Sequence, residues 1–288
     1  MCFAGLIGND EFFLVISPSS PLAVLIASLV VCASGDVASS ERNQSGKVIY
    51  VSKKLSSPTR KSWISAITND DTLRLSELLQ THNPASLLAI TASNGKSALM
   101  VAAKKGDLKL AKVLVYEGAD VNEPTETQGT PFMFAIVGGQ QEAAQWLLEQ
   151  GADVNTVGSN GWTALTIAAA KGQVHLLQWL IGEGADAQVR DVYRFTPLLR
   201  AVENGHVEAA AVLLSLVDTD VNALDENDNT ALHFAVSQGR KDLVTLLLTH
   251  QADPNLLNKE GLSAMDLARS LADDTSTILR AMKDATLP

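Results

Sequence analysis

The sequence predicts an all-α protein, a solenoid of helix-turn-helix units joined by hairpin-like loops. The main observation is self-similarity: an aspartate column and a serine or threonine column recur every 33 or 34 residues. A glycine column keeps the same spacing. The two polar columns are Asp120, Asp153, Asp186, Asp220 and Asp253, and Ser97, Thr130, Thr163, Thr196, Thr230 and Ser263. Because the columns share one offset, each period is interpreted as one folded unit that stacks on the next.

Composition limits the class of protein. The 288 residues include 22 basic and 32 acidic side chains, a net charge of -10, and 46% of the residues are hydrophobic against 19% charged. This balance favours a packed core over disorder, and the negative charge repels a phosphate backbone, so we expect no nucleic-acid binding. Both cysteines, Cys2 and Cys32, lie in the first forty residues. A disulfide scaffold, a cysteine zinc site and a catalytic thiol are therefore excluded from the rest of the chain.

Residues 1–33 differ in composition from the rest and are predicted to be a signal peptide or hydrophobic leader. The apolar run at 21–33 ends in small residues and resembles a secretory signal, with Ser34 as the new N-terminus. Residues 1–20 contain no Lys or Arg, so the usual positive region is missing. Alternatives are a wrongly assigned start, a dispensable extension, and an uncleaved anchor over 12–33, whose following residues 41–62 would stay cytoplasmic because of their positive charge. We expect export, followed by a flexible basic linker at 34–60.

The repeat domain is predicted to span 61–288. Thr130-Pro131 and Thr196-Pro197 are typical of a helix N-cap followed by proline at the first helical position. An alanine column then marks the first helix, a glycine that accepts positive φ ends it, and a leucine column marks the second helix. Five units are predicted at 95–127, 128–160, 161–193, 194–227 and 228–260, with degenerate capping units at 61–94 and 261–288.

These residues resemble the ankyrin repeat. The steps Thr196-Pro197-Leu198 and Thr230-Ala231-Leu232-His233, with the GADVN stretches at 118 and 151, match its pattern at its own period. The resemblance implies a non-catalytic protein–protein interaction module, a scaffold that binds a protein partner on its concave face of hairpin tips and first helices. Arg194 and Asp228, like Gln128, stand where the family usually has glycine. We expect the tips at 194 and 228 to relax into another turn, because a non-glycine residue is strained at positive φ.

The predicted partner-binding residues lie on hairpin tips and at the ends of first helices. Trp162, Tyr193 and Phe195 occupy matching or adjacent positions of neighbouring units, so we expect the rings to cluster and to anchor the partner. An alternative is that Trp162 and Phe195 stack within the array, which leaves Tyr193 as the better partner contact. Lysines such as Lys104 in the N-terminal units suggest an acidic region of the partner or, alternatively, a solvated edge. The polar candidates are Asn160, Lys171, Asn204 and Asn229.

The sequence predicts no catalytic residue, no metal site and no cofactor. By the resemblance, His206 and His233 lie where the ankyrin pattern uses histidine to bind neighbouring loops. Each aspartate of the column falls in a turn where its side chain can accept bonds from nearby backbone N–H groups. These aspartates are a whole repeat apart, whereas calcium needs 6–8 converging oxygens. We therefore expect a monomeric, non-enzymatic chain with one protein partner; the alternative is a membrane-tethered cytoplasmic adaptor or a regulator of an enzyme.

Overall fold

The structure of the chain, a computed structural model, describes residues 3–6, 12–15, 38–42, 48–52, 55–270, 278–280 and 282. The first four ranges are strands that form one antiparallel sheet in the order β1-β2-β4-β3. They are β1 (Phe3–Leu6), β2 (Phe12–Val15), β3 (Ala38–Arg42) and β4 (Val48–Ser52). In the register, Leu14 of β2 and Ser40 of β3 both lie opposite Tyr50 of β4, which is one of the two interior strands.

These strands fall inside the predicted leader at 1–33 and the predicted flexible linker at 34–60. The run of β-branched and aromatic residues at 48–51 favours a strand, a local signal that the helical-repeat interpretation did not use. The apolar run at 21–33 lies outside the described residues. Among the helices that the structure does describe, none combines the length and the apolar character needed to cross a bilayer.

The chain divides into two compact units, and the first ends at Glu123. Its first helix begins at Ser57, four residues before the predicted start of the repeat domain. Trp63, Ile67 and Leu75 are fully buried and form the core of the predicted N-terminal cap. The helices of this unit are α1 (Ser57–Thr68), α2 (Thr72–Thr81), α3 (Pro84–Leu88), α4 (Ala98–Lys105) and α5 (Leu108–Tyr116).

The second unit begins at Pro124 and repeats one helix pair. Its first helices α6, α8, α10, α12 and α14 each contact the next, and the second helices α9, α11 and α13 do the same. The prediction of helix-turn-helix units in an all-α solenoid is confirmed for these helices. They are α6 (Pro131–Gly138), α7 (Gln141–Glu149), α8 (Ala164–Ala170), α9 (Val174–Gly182), α10 (Pro197–Glu203), α11 (Val207–Leu214), α12 (Ala231–Ser237), α13 (Lys241–Thr249) and α14 (Ala264–Ser270).

The hydroxyl, alanine, leucine and glycine residues that recur once per repeat have the structural roles that the sequence predicts. The hydroxyls of Thr130, Thr163 and Thr196 accept a bond from the backbone N–H three residues on and so cap α6, α8 and α10. The alanine column has no exposed surface, which lets first helices approach closely, and the leucine column is buried beside it. The glycines that end the first helices have φ between 64 and 75° and are Gly106, Gly139, Gly172, Gly205 and Gly239.

The expected relaxation of the hairpin tips at 194 and 228 is wrong. Arg194 and Asp228 keep the left-handed conformation, with φ of 63 and 59°, as does Gln128 with 59°. The Oδ1 atom of Asp191 accepts bonds from the backbone N–H groups two and four residues on, both at 2.9 Å. In the next tip, the Oδ1 atom of Asp225 likewise accepts bonds from the backbone N–H groups two and four residues on, at 2.8 and 2.7 Å. These bonds to a buried carboxylate offset the left-handed backbone, which costs about 1–2 kcal/mol.

The predicted role of the repeating aspartate column is confirmed. Each Oδ1 atom accepts a bond from the backbone N–H two residues on, over 2.8 to 3.1 Å, as expected of aspartate in a turn. Within the part of the chain that the structure describes, no group of three or more histidine, cysteine or acidic side chains is placed to hold a metal ion.

Candidate functional site

Backbone hydrogen bonds join successive hairpin tips of the second unit. In each of these bonds, a backbone N–H of one tip donates over 3.0 Å to a backbone carbonyl oxygen of the preceding tip. The pairs are Ser159 to Thr127, Val192 to Asn160, Glu226 to Tyr193 and Lys259 to Asn227. We call this series of bonds the tip ladder. Because the ladder uses main-chain atoms, it fixes the tips in a row and leaves their side chains available for contacts.

The three predicted aromatic residues converge on the guanidinium group of Arg200, which projects from α10. Its Cζ atom lies 4.1 Å from the ring centroid of Phe195, 5.2 Å from that of Trp162 and 6.0 Å from that of Tyr193. These distances are those of cation–π contacts. The rings cluster as expected, but around an arginine that the sequence analysis did not single out.

Two carboxylates hold Arg200 in place. Its Nε atom donates to Oδ2 of Asp191 over 2.9 Å, and its Nη2 atom donates to the same oxygen. Its Nη1 atom donates to Oε2 of Glu203 over 2.8 Å. Asp191 is fully buried and the Arg200 side chain is only 12% exposed. Such burial is tolerated because each charge has a partner of opposite sign.

The three rings differ in their access to solvent. Phe195 is buried and its ring lies 5.4 Å from that of Phe234, tilted by 50°. Trp162 is half-buried, whereas Tyr193 is 50% exposed. This arrangement agrees with the alternative in which Phe195 and Trp162 stack within the array. It leaves Tyr193 as the aromatic ring that is open to a partner.

Comparison with known families identifies the repeats. A family model described as Ankyrin repeats (3 copies) matches residues 63–158 and 153–225, and one described as Ankyrin repeats (many copies) matches residues 216–268. The chain belongs to the ankyrin-repeat family. Ankyrin repeats are generally protein–protein interaction modules that bind protein partners, and their fold is typically non-catalytic.

Two solved ankyrin structures are similar to this chain. The ankyrin repeat domain of human ASB11 has a TM-score of 0.64 and 25% sequence identity, and the match covers 81% of this chain and 99% of that chain. An ankyrin repeat domain from Acinetobacter baumannii AYE has a TM-score of 0.59 and 30% identity, covering 65% of this chain and 96% of that chain. Both comparisons place the described helices in the ankyrin fold.

The curated relatives share a shorter stretch. Regulatory protein NPR6 of Arabidopsis thaliana is 40% identical over 78 residues, which is 27% of this chain and 17% of that protein. The BTB/POZ domain and ankyrin repeat-containing protein NOOT1 of Medicago truncatula is 39% identical over 75 residues, 26% of this chain and 16% of that protein. The match therefore spans about a sixth of the length of these relatives.

Arg200 departs from the other ankyrin repeats of this chain. It occupies a first-helix position that carries an apolar side chain in the five other units. Those residues are Val101, Phe134, Ile167, Phe234 and Leu267. A charged residue in an otherwise apolar row is the sequence signal that could have identified Arg200 and, with it, the carboxylates of Asp191 and Glu203.

The four polar candidates lie in different environments. Asn160 and Lys171 are exposed, on a tip and at the end of α8. Asn204 is also exposed, and its Nδ2 atom donates to the Arg200 carbonyl over 2.9 Å. Asn229 is half-buried, and its side chain bonds to Asp225 and Asn258 within the tips. Asn229 therefore belongs to the internal bonding of the tips.

In the first unit, Lys104 already has an acidic partner. Its Nζ atom donates to Oδ2 of Asp70 over 2.7 Å, and Lys96 pairs with the other oxygen of the same carboxylate. Burial alone would raise the pKa of Asp70, but the hydrogen bonds from Lys104 and Lys96 outweigh it and hold the pKa below its usual value. The charge of Lys104 is thus compensated within the chain.

The two ankyrin-pattern histidines bind neighbouring loops, as predicted. The Nε2 atom of His206 lies 3.1 Å from the carbonyl oxygen of Ala170. In His233, Nδ1 accepts a bond from the backbone N–H of Thr230 and Nε2 donates to the carbonyl of Leu262, both over 3.1 Å. Burial lowers the pKa of His233, which favours the neutral ring that this pattern of bonds requires.

Proposed function

We propose that the protein is a non-catalytic, monomeric adaptor that binds one protein partner on the face formed by its hairpin tips and first helices, with the contact centred on Tyr193. The single observation that carries this proposal is the exposure of Tyr193 and Val192, 50% and 57%, on a tip that the ladder and the Arg200 cluster hold in place. A fixed aromatic side chain loses little freedom on binding, and such anchors carry much of an interface's free energy.

A partner can be trapped through this residue. A photo-crosslinking amino acid at position 193 of the full chain is expected to capture the partner from a native extract, and mass spectrometry then identifies it. With the purified partner, Y193A is expected to raise Kd about 30-fold, because a central aromatic anchor contributes about 2 kcal/mol.

The matched control is V217A, since Val217 is almost fully exposed but lies outside the tip row. It is expected to leave Kd unchanged, and both variants should keep the helical content of the parent chain. A Y193A protein that binds the partner as tightly as the parent would contradict the proposal.

We also propose that the protein is exported after removal of residues 1–33. Support comes from the apolar run at 21–33 and the small residues that end it. Cleavage after Ala33 would remove β1 and β2, so the four-stranded sheet could exist only in an uncleaved chain. The alternative is a tethered adaptor that retains residues 12–33 in the membrane.

A further inference from the structure

The tip row of the second unit has an apolar centre and more carboxylates than ammonium groups. The two outermost residues of successive tips are Glu126-Thr127, Ser159-Asn160, Val192-Tyr193, Glu226-Asn227 and Lys259-Glu260. The row thus holds three carboxylates and one ammonium group, and its only apolar pair lies in the middle tip. The apolar pair therefore has an uncharged tip on one side and the carboxylate of Glu226 on the other.

Two acidic residues, Glu226 of the tip row and Glu203 of α10, are linked to the surroundings of Tyr193. The backbone N–H of Glu226 donates to the Tyr193 carbonyl over 3.0 Å, so the tip that carries this exposed carboxylate is the immediate neighbour. Glu203 accepts its bond from Arg200, whose Cζ atom lies 6.0 Å from the Tyr193 ring, and the Glu203 side chain is 34% exposed. Solvent thus reaches both carboxylates, one on the neighbouring tip and one paired with the arginine that contacts the ring.

The cations near this surface are largely compensated within the chain. Arg200 faces two carboxylates, Asp191 and Glu203, so that group of three side chains carries a net charge of about -1. The Nη1 atom of Arg194 lies 3.5 Å from Oδ1 of Asp228, and Nη2 of Arg190 lies 3.8 Å from Oδ2 of Asp220. An exposed cation, Lys171, remains at the end of the preceding first helix. The surroundings of Tyr193 are therefore negative, in keeping with the charge of the whole chain.

We infer that this surface binds a short basic segment of the protein partner in which one apolar side chain lies between lysines or arginines. This inference rests on the proposed function and names the chemistry of the bound segment. The apolar side chain packs against Val192 and Tyr193, and the flanking cations lie beside Glu203 and Glu226. Opposite charges at the edge of an apolar contact guide the approach and fix the register of the segment.

Three fluorescein-labelled peptides test the inference against the full chain by fluorescence anisotropy. They are GRKFKRG, its acidic counterpart GEEFEEG, and GRKGKRG, which lacks the apolar side chain. GRKFKRG is expected to bind at least about 10-fold more tightly than either of the others, and its advantage over the acidic peptide should shrink as salt screens the charges. If GRKGKRG binds as tightly as GRKFKRG, the peptides are attracted only by the overall negative charge of the protein, and the inference is overturned. Binding of GEEFEEG as tight as that of GRKFKRG would also overturn it.

Paired variants locate the contact. Y193A and the double variant E203Q/E226Q are each expected to weaken binding of GRKFKRG about 10-fold. The control E149Q/E183Q removes the same charge from exposed positions on the second-helix side, and it should leave the affinity within about 2-fold of the parent. A control that loses as much affinity as E203Q/E226Q would refute the assignment to the tip row.

The partner trapped from position 193 separates this inference from the proposed function. If the crosslinked segment is acidic or uncharged, the basic-segment inference fails while the proposed binding surface stands. If the partner binds but crosslinks only from positions away from the tips, the proposed function itself fails.

Discussion

The guanidinium group of Arg200 lies among three aromatic rings and two carboxylates. Its side chain is only 12% exposed, so this charge is largely buried. A buried charge is tolerated only when it is paired, so Arg200 and Asp191 depend on each other. Asp191 in turn closes the tip that carries Tyr193, because its second oxygen accepts two backbone N–H groups. The stability of the proposed surface is thus concentrated in very few side chains.

The variant R200A is expected to lower the free energy of unfolding by about 3 kcal/mol, because it leaves the Asp191 carboxylate buried without its cation. Chemical denaturation followed by circular dichroism measures the change. The control R269A breaks the pair between Arg269 and Asp266, whose side chains are 61% and 41% exposed, and should cost much less stability than R200A. Equal losses for the two variants would show that the Arg200 cluster has no special role in stability.

The clustering of Trp162 and Phe195 could be predicted from the sequence, because equivalent positions of neighbouring repeats lie side by side. Arg200 was missed because the position it occupies faces the helix layer, where the repeat pattern predicts apolar contacts. Its burial depends on a carboxylate nine residues away and on a ring from the preceding repeat. Such a combination emerges only when the repeats are stacked.

Among the elements, the hairpin tip at Gly161 lies very close to the tip that follows it. This glycine has φ of 77°, and a Cβ atom added to it would lie 2.7 Å from the Cα atom of Asp191 in the next tip. Gly261 occupies the equivalent tip position with φ of 74°, but no heavy atom lies within 4 Å of an added Cβ. The two glycines therefore share a backbone conformation and differ in what surrounds them.

The substitution G261A is expected to cost about 1 kcal/mol, the strain of a left-handed alanine. G161A should cost at least about twice as much, because the backbone of the next tip must also move. Urea unfolding of both variants, with the parent chain as reference, gives the two losses. Equal losses of unfolding free energy for G161A and G261A would mean that neighbouring tips can move apart without losing stability. The ladder would then not hold them closely together.

The helices could be predicted because their start and end signals are local: a hydroxyl cap at one end and a glycine at the other. The tips at Arg194 and Asp228 were predicted wrongly because only the strain of their own backbone was considered. Side chains of Asp191 and Asp225 supply the bonds that keep those turns. The short helix α3 interrupts the repeat pattern, so a periodic signal could not reveal it.

At the scale of the whole molecule, successive first helices of the second unit contact each other, as expected of stacked repeats. This organisation could be predicted from the period alone, because a repeat can bury its apolar face only against a neighbour. Whether residues 1–33 are removed does not follow from how the repeats pack. It depends on cellular processing, which a chain's own contacts do not encode.

Intact-mass measurement of the native protein is expected to show a chain that begins at Ser34, since small residues precede that position. The variant A33R should block removal of the leader and give the full-length mass, because a large cation does not fit a small-residue cleavage site. A full-length parent chain in the membrane fraction would contradict export and favour the tethered adaptor.

The tip ladder also affects how such a protein can evolve. Neighbouring tips are joined through peptide groups. A substitution at position 160, 193 or 227 therefore changes the outward side chain but keeps the backbone hydrogen bond to the next tip. Mutations can therefore explore new partners one tip at a time on a scaffold that still folds. Positions such as Gly161 and Asp191, whose atoms touch the adjoining tip, should accept far fewer changes in any lineage.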